Sequence, residues 1–183
     1  VLPFVSIIRN LLDYDYVCKL HTKQTPKRPT IGSLWRLAYL ETLCGSSNEC
    51  IDLLGRSEIG MTTDSHLLAK YNPRSAHPGN KKIIDSVCDP IHRDCFHFAA
   101  GSMFWCKPSI YDSKLVDKIL KLDYQPEPIA DDGTEAHAVE RLLGYAVLRS
   151  GKAYGGVFSK EGTRLIHAWE MLIGYDIHRI LAT

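Results

Sequence analysis

Apolar residues recur along this chain in two rhythms. Phe4, Ile7, Ile8, Leu11 and Leu12 follow the three- and four-residue steps of a helix face and predict a buried stripe on an opening helix. Residues 16–20 then read as a strand that runs into the polar His21, Thr22 and Lys23, and 24–30 as a loop carrying Pro26 and Pro29. Ser33 predicts the cap of a helix that Gly45 stops, with Leu34, Leu37, Ala38 and Leu40 as its buried stripe. A short helix over 48–54 and a strand over 59–63 follow. The stretch 66–94 has the least regular pattern, with one helix expected at 81–86. Residues 96–105 read as one strand interrupted by Gly101, and 113–122 as a helix capped by Asp112 or Ser113. Asp132-Gly133-Thr134-Glu135 precede a long helix expected to run through Ser150, then a strand over 154–158 and a terminal helix over 169–180. Strands alternating with helices imply an α/β fold.

The length of 183 residues suits one domain with a real core. Apolar residues at 45% and charged residues at 23% exclude wholesale disorder. Lys plus Arg number 22 and Asp plus Glu 21, a balance of +1 that argues against a broad nucleic-acid footprint. No apolar run reaches the roughly 20 residues of a membrane span. The opening segment carries Arg9 and Asn10 and has no basic start or small-residue cleavage site, so it does not read as a signal peptide. The six cysteines form no Cys-x-x-Cys pair and sit mostly in apolar contexts, which predicts reduced, buried thiols.

Three stretches carry candidate chemistry. In the first, His21 and Lys23 share one face of an extended backbone at the carboxyl end of a strand, where open α/β sheets place ligands. A Lys, an imidazole and the Thr22 hydroxyl would suit a phosphate; the plain alternative is a solvated strand end. The second, Gly101-Ser102-Met103-Phe104-Trp105, pairs a close backbone approach with aromatics that could seat a sugar ring or simply fill a core. The third opens the long helix. Asp132 followed by Glu135 has the form of a capping box, yet His137, Glu140 and Arg141 follow within two turns. Acid, imidazole and guanidinium at a helix N-terminus suit an anionic ligand, and a carboxylate there could act as a general base.

Taken together, Tyr14-Asp15-Tyr16-Val17-Cys18-Lys19-Leu20-His21-Thr22-Lys23, Ala100-Gly101-Ser102-Met103-Phe104-Trp105 and Asp132-Gly133-Thr134-Glu135-Ala136-His137-Ala138-Val139-Glu140-Arg141 resemble motifs of the rhamnan synthesis F family of polysaccharide glycosyltransferases. Trp35-Arg36 matches the same pattern, and the resemblance covers roughly residues 1–150. Glu135 departs from it, since an apolar residue is expected there. The resemblance implies a GT-A-like, Rossmann-related mixed sheet flanked by helices. It also implies transfer of a sugar, often rhamnose, from a nucleotide-sugar to a growing cell-surface polysaccharide or lipopolysaccharide glycan, by an inverting hexosyltransferase-type displacement. Its partners are then the donor and a glycan or lipid-linked glycan acceptor, and its place the cytoplasm, at the inner face of the membrane where the acceptor is lipid-linked.

On that resemblance Asp132 is the first choice of base and Glu135 the second. His21, Thr22, Lys23, Arg36, His137 and Arg141 are assigned to the donor diphosphate, and Gly101, Ser102, Met103, Trp105 and Glu140 to the acceptor sugar. GT-A enzymes commonly hold a divalent metal through an Asp-x-Asp motif after the central strand. No carboxylate pair stands at that point here, so no metal ligand is assigned. The 183 residues are expected to form one domain, the later portion of a GT-A-like fold that lacks the elements of the nucleoside pocket, with 155–183 as an extension. Two other readings compete: a non-catalytic glycan- or nucleotide-binding module, and a metal-dependent hydrolase using His66, His77, His92 or His97 with Asp64, Asp85 or Asp94.

Overall fold

A computed structural model of the chain describes residues 1–22, 29–89, 95–126 and 130–173, with side chains described as far as residue 168. The elements run α1 (Leu2–Ile7), β1 (Val17–Lys19), α2 (Pro29–Leu40), α3 (Ser47–Gly55), β2 (Ile59–Asp64), β3 (Leu68–Tyr71), α4 (Pro78–Val87), β4 (Phe96–Ala99), β5 (Phe104–Cys106), α5 (Ser113–Leu120), α6 (Glu135–Arg149), β6 (Ala153–Val157) and α7 (Lys160–Ile173). A four-stranded mixed sheet has the order β1-β5-β2-β6, and β3 pairs with β4 in a separate two-stranded sheet. β5 runs antiparallel to both neighbours, while β2 and β6 are parallel. The carboxyl ends of β1, β2 and β6 therefore lie at one edge of the fold, together with the turn that feeds β5.

Alternation along the strands divides the core. Phe104 and Cys106 of β5 join Met61 in a large cluster with α1, α4, α5 and α6. Trp105, between them, faces the opposite cluster, built by Ile31, Ala38 and Tyr39 of α2 with Cys50, Val157 and Leu165. Cys18 of β1 points to that second side and Val17 to the first. The mixed α/β architecture expected from the sequence is present, with helices on both faces of the sheet.

Several local expectations change. The opening helix becomes 3-10 over Ile8–Leu11, and its buried residues are Val5 and Ile8, whereas Ile7 and Leu12 are exposed. α2 starts at Pro29, four residues before Ser33, because proline's fixed φ suits a first helical turn. Its buried face is Ile31, Gly32, Ala38 and Tyr39, while Leu37 and Leu40 are exposed. α2 packs against α7, a neighbour that local periodicity does not reveal. The irregular stretch holds β3 as well as the expected helix, which is longer than predicted. α7 starts well before residue 169, and residues 174–180 of the expected terminal helix lie outside the described residues.

All six cysteines are free thiols, but only Cys50, Cys88 and Cys106 are buried; Cys44 and Cys95 are exposed. The segment expected as an extension supplies β6 to the sheet and α7 to the α2 layer.

Candidate functional site

The expected single strand over 96–105 is two strands in two sheets, and the break between them builds the site. Gly101 at φ 87° and Ser102 at φ 56° are both left-handed, which lets the chain leave β4 and re-enter as β5 in the main sheet. A Cβ on Gly101 would also stand 3.2 Å from the Trp35 indole nitrogen.

Side chains from three other segments then hold four consecutive carbonyls of this turn. The Tyr39 hydroxyl donates to the Ala100 carbonyl and the Lys19 ammonium to the Ser102 carbonyl. His21 Nε2 lies 2.6 Å from the Gly101 oxygen, and Thr63 Oγ1 donates to the Met103 carbonyl at 3.0 Å. A left-handed turn at the edge of a core leaves such carbonyls without ladder partners, and β1, α2 and β2 supply the missing donors.

A cleft of about 550 Å³ opens against this turn. Its polar end is made by Lys19, His21, Gly101, Ser102 and Glu140, and its apolar wall includes Phe4, Ile7, Leu11 and Leu20. β1 presents Lys19, and α6 presents Glu140 from its second turn. The Ser102 hydroxyl donates to Glu140 Oε2 at 3.4 Å, so Lys19, Ser102 and Glu140 form a chain across the cleft floor. Lys19 is only 7% exposed. Its ammonium lies 5.8 Å from the centroids of both Phe4 and Phe104, a favourable place for a desolvated cation. Burial pulls its pKa down to about 8, against the opposing pull of the Glu140 carboxylate.

A smaller pocket, of about 340 Å³, lies beside the cleft and shares Leu20 and His21 with it. Thr22, Arg36, Tyr39, Leu40 and Met103 also line it, so its described lining includes an arginine and no carboxylate. Lys23, expected beside Thr22, lies outside the described residues.

The other sequence candidates are arranged differently. Asp132 does not line the cleft. Its Oδ1 accepts from Asn80 Nδ2 of α4 and from the Gly133 amide, each at 2.8 Å, with the Arg141 guanidinium 3.7 Å away. Burial pushes this carboxyl up, but the two hydrogen bonds and the Arg141 and His137 charges outweigh it and hold the group below its ordinary value. The helix cap is Thr134 rather than Asp132, so the expected capping box does not form. The Thr134 hydroxyl pairs with His137 Nδ1 at 2.8 Å, and Arg141 donates to the His137 carbonyl and lies over the Phe98 ring. Glu135 opens α6 and is absent from both pocket linings.

Trp105 donates from its indole nitrogen to the Leu43 carbonyl at 2.8 Å and packs on the opposite core, and Met103 is buried. Both faces were open to a sequence reading of this strand. Period two assigns Trp105 to the side away from Phe104 once the strand starts after Ser102.

One group went unassigned in the sequence. Lys19 looked like one more position in a strand; its place among small and apolar neighbours at a strand end was the available signal. Asp64, fully buried, accepts from Thr42 Oγ1 at 2.7 Å, from the His66 amide at 2.9 Å and from the Ser159 hydroxyl. It ties the end of β2 to the start of α7. Among the described residues, no three His, Cys, Asp or Glu side chains gather in a way that could hold a metal ion. No helix among the described residues is long and apolar enough to cross a membrane.

The sequence matches the family described as "Rhamnan synthesis protein F" over residues 1–152, which takes in both walls of the cleft. The chain belongs to that family. The family is named for the synthesis of rhamnan, a polysaccharide. Two relatives carry the name "Uncharacterized protein WxcX", both from Xanthomonas campestris pv. campestris. The protein of strain B100 is 31% identical over 163 residues, and that of strain ATCC 33913 is 30% identical over 161 residues. Each alignment covers 82% of this chain and 23% of the relative, so the chain spans about a quarter of the length of these proteins. No solved structure matches the chain.

Proposed function

We propose that this chain carries the acceptor side and the diphosphate end of a GT-A-like glycosyltransferase domain. The reaction moves a sugar, with rhamnose the first candidate, from a nucleotide-sugar to a growing cell-surface glycan. One observation carries the reading. Residues drawn from sequence blocks around positions 19, 36, 101 and 140 meet at the carboxyl ends of the strands, in two adjoining pockets of different charge.

Arg36 and Thr22 suit the donor diphosphate, since a guanidinium and a hydroxyl donate to phosphate oxygens and no carboxylate stands beside them among the described residues. Lys23 follows Thr22 directly in sequence and remains part of this proposal. The acceptor lies against Gly101 and Ser102 in the larger cleft. Its hydroxyl oxygen forms the bond to the anomeric carbon as the bond to the diphosphate breaks. The electron pair leaves with the nucleoside diphosphate, and the hydroxyl proton passes to a carboxylate.

Glu140 is the carboxylate that faces this cleft, and we assign it the proton. Asp132, with its hydrogen bonds to Asn80 and Gly133, becomes the second choice and an anchor between α4 and α6. A nucleotide-sugar donor places the step in the cytoplasm, beside the membrane where the acceptor is lipid-linked.

The test is a transfer and donor-hydrolysis assay on the full-length protein with a panel of nucleotide-sugars, dTDP-rhamnose included. Release of nucleoside diphosphate coupled to glycan extension is the expected result. Nucleotide-sugar or glycan binding with no turnover would make the protein a binding module instead.

A further inference from the structure

We propose that Lys19 and Glu140 form a charge-paired clamp that takes an uncharged, apolar-faced sugar ring by its hydroxyls and excludes the donor diphosphate from the larger cleft. The inference rests on the glycosyltransferase reading and names the ligand class of one of its two pockets.

Three observations support it. First, the cleft's charges are matched: one buried ammonium and one carboxylate, linked through Ser102. A diphosphate entering here would meet Glu140 and would have to strip Lys19 from its partners, whereas a neutral polyol can donate to Glu140 and accept from Lys19 at little electrostatic cost. Second, both nitrogens of His21 already lie against backbone carbonyls, and a neutral ring donates its one N–H to one of them. Its Nε2 faces the Gly101 carbonyl at 2.6 Å and its Nδ1 the Thr22 carbonyl at 2.8 Å. In the cleft it therefore acts as a positioning residue that holds the turn. Third, the rest of the lining is apolar, with Phe4, Ile7, Leu11 and Leu20 along one wall. A sugar presents a C–H face to such a wall, and a 6-deoxy sugar adds a methyl group there in place of a hydroxyl that would lose its water.

The experiment is calorimetric titration of the full-length protein with two probes, methyl α-L-rhamnopyranoside and inorganic pyrophosphate. The wild type is compared with Lys19→Met, Lys19→Arg and Glu140→Gln, each first checked for an unchanged melting transition. We expect Lys19→Met and Glu140→Gln to weaken the rhamnoside by about tenfold or more, as for the loss of a hydrogen bond to a charged group, with Lys19→Arg restoring part of it. Glu140→Gln should also tighten pyrophosphate several-fold, because it leaves the Lys19 charge unmatched. A residue that merely held the turn would not produce that opposite change.

Rhamnoside binding indifferent to Lys19 and Glu140, or no rhamnoside binding, would overturn the clamp. So would pyrophosphate binding in the wild type that Lys19→Met abolishes. Sugar transfer persisting through those results would leave the glycosyltransferase reading standing without the clamp. Rhamnoside binding with the expected sensitivities in a protein that transfers no sugar would leave the clamp standing without the reaction.

Discussion

The two pockets at the end of β1 share Leu20 and His21 yet differ in what they can hold. The larger one contains an ammonium and a carboxylate bridged by Ser102; among the described residues the smaller contains Arg36 and no acid. Cations of similar sequence appearance therefore have different chemistry. Lys19 is compensated and desolvated, so its charge is spent inside the protein. Among the described residues no carboxylate joins Arg36 in the lining of its pocket, so its charge suits an anion. What separates them is the neighbour each finds across the fold.

The largest effect should come from the carboxylates. Glu140→Gln in the full-length protein should lower the transfer rate by about a hundredfold or more, the usual worth of a positioned general base. Asp132→Asn should cost less than tenfold, since its carboxyl is already hydrogen-bonded and held in its anionic form. Steady-state rates of the two variants compare the loop before α6 with its second turn directly, and the reverse order would return the base to Asp132.

A smaller effect is expected at Arg36. Arg36→Ala should weaken the donor by about tenfold, measured as its KM or by nucleoside diphosphate titration, and leave the acceptor's KM unchanged. An acceptor defect without a donor defect would merge the two pockets into one.

The smallest effect is a pH dependence of sugar binding. The groups around the Lys19 ammonium are the Glu140 carboxylate on α6 and the Cys106 thiol on β5. With Lys19 lowered to about 8, its ammonium is present at neutral pH and lost as pH rises through that value. Glu140 is then left unmatched. Methyl rhamnoside affinity should be level between pH 6 and 7 and fall several-fold by about pH 9, whereas Lys19→Arg should flatten the profile because arginine keeps its charge. A flat wild-type profile would remove Lys19 from the binding chemistry.

Much of the fold was legible before the structure. The strand at Val17–Lys19, the helix closed by Gly55 and the long helix ending at Arg149 all follow from apolar periodicity and nearby stop signals. The site was legible as a set of blocks but not as an arrangement. His21, Gly101, Ser102 and Glu140 do meet in one cleft, with Thr22 and Arg36 next door. Asp132 and His137 fall instead into the loop and first turn of α6, bonded to Asn80 and Thr134. Trp105 reads as a sugar platform in isolation, but it becomes a core residue once β5 is known to start at Phe104.

The sequence alone determined much of the local order in this protein: which segments are helical or extended and which polar groups stand near their ends. These depend on neighbours a few positions away. The tertiary structure decided which charges are matched and which carbonyls are held, because Lys19 meets Glu140, and Tyr39 and His21 meet the turn at Ala100 and Gly101, only when distant segments pack. Electrostatic energy depends on distance through space and on burial, and neither is written in the spacing of residues along a chain.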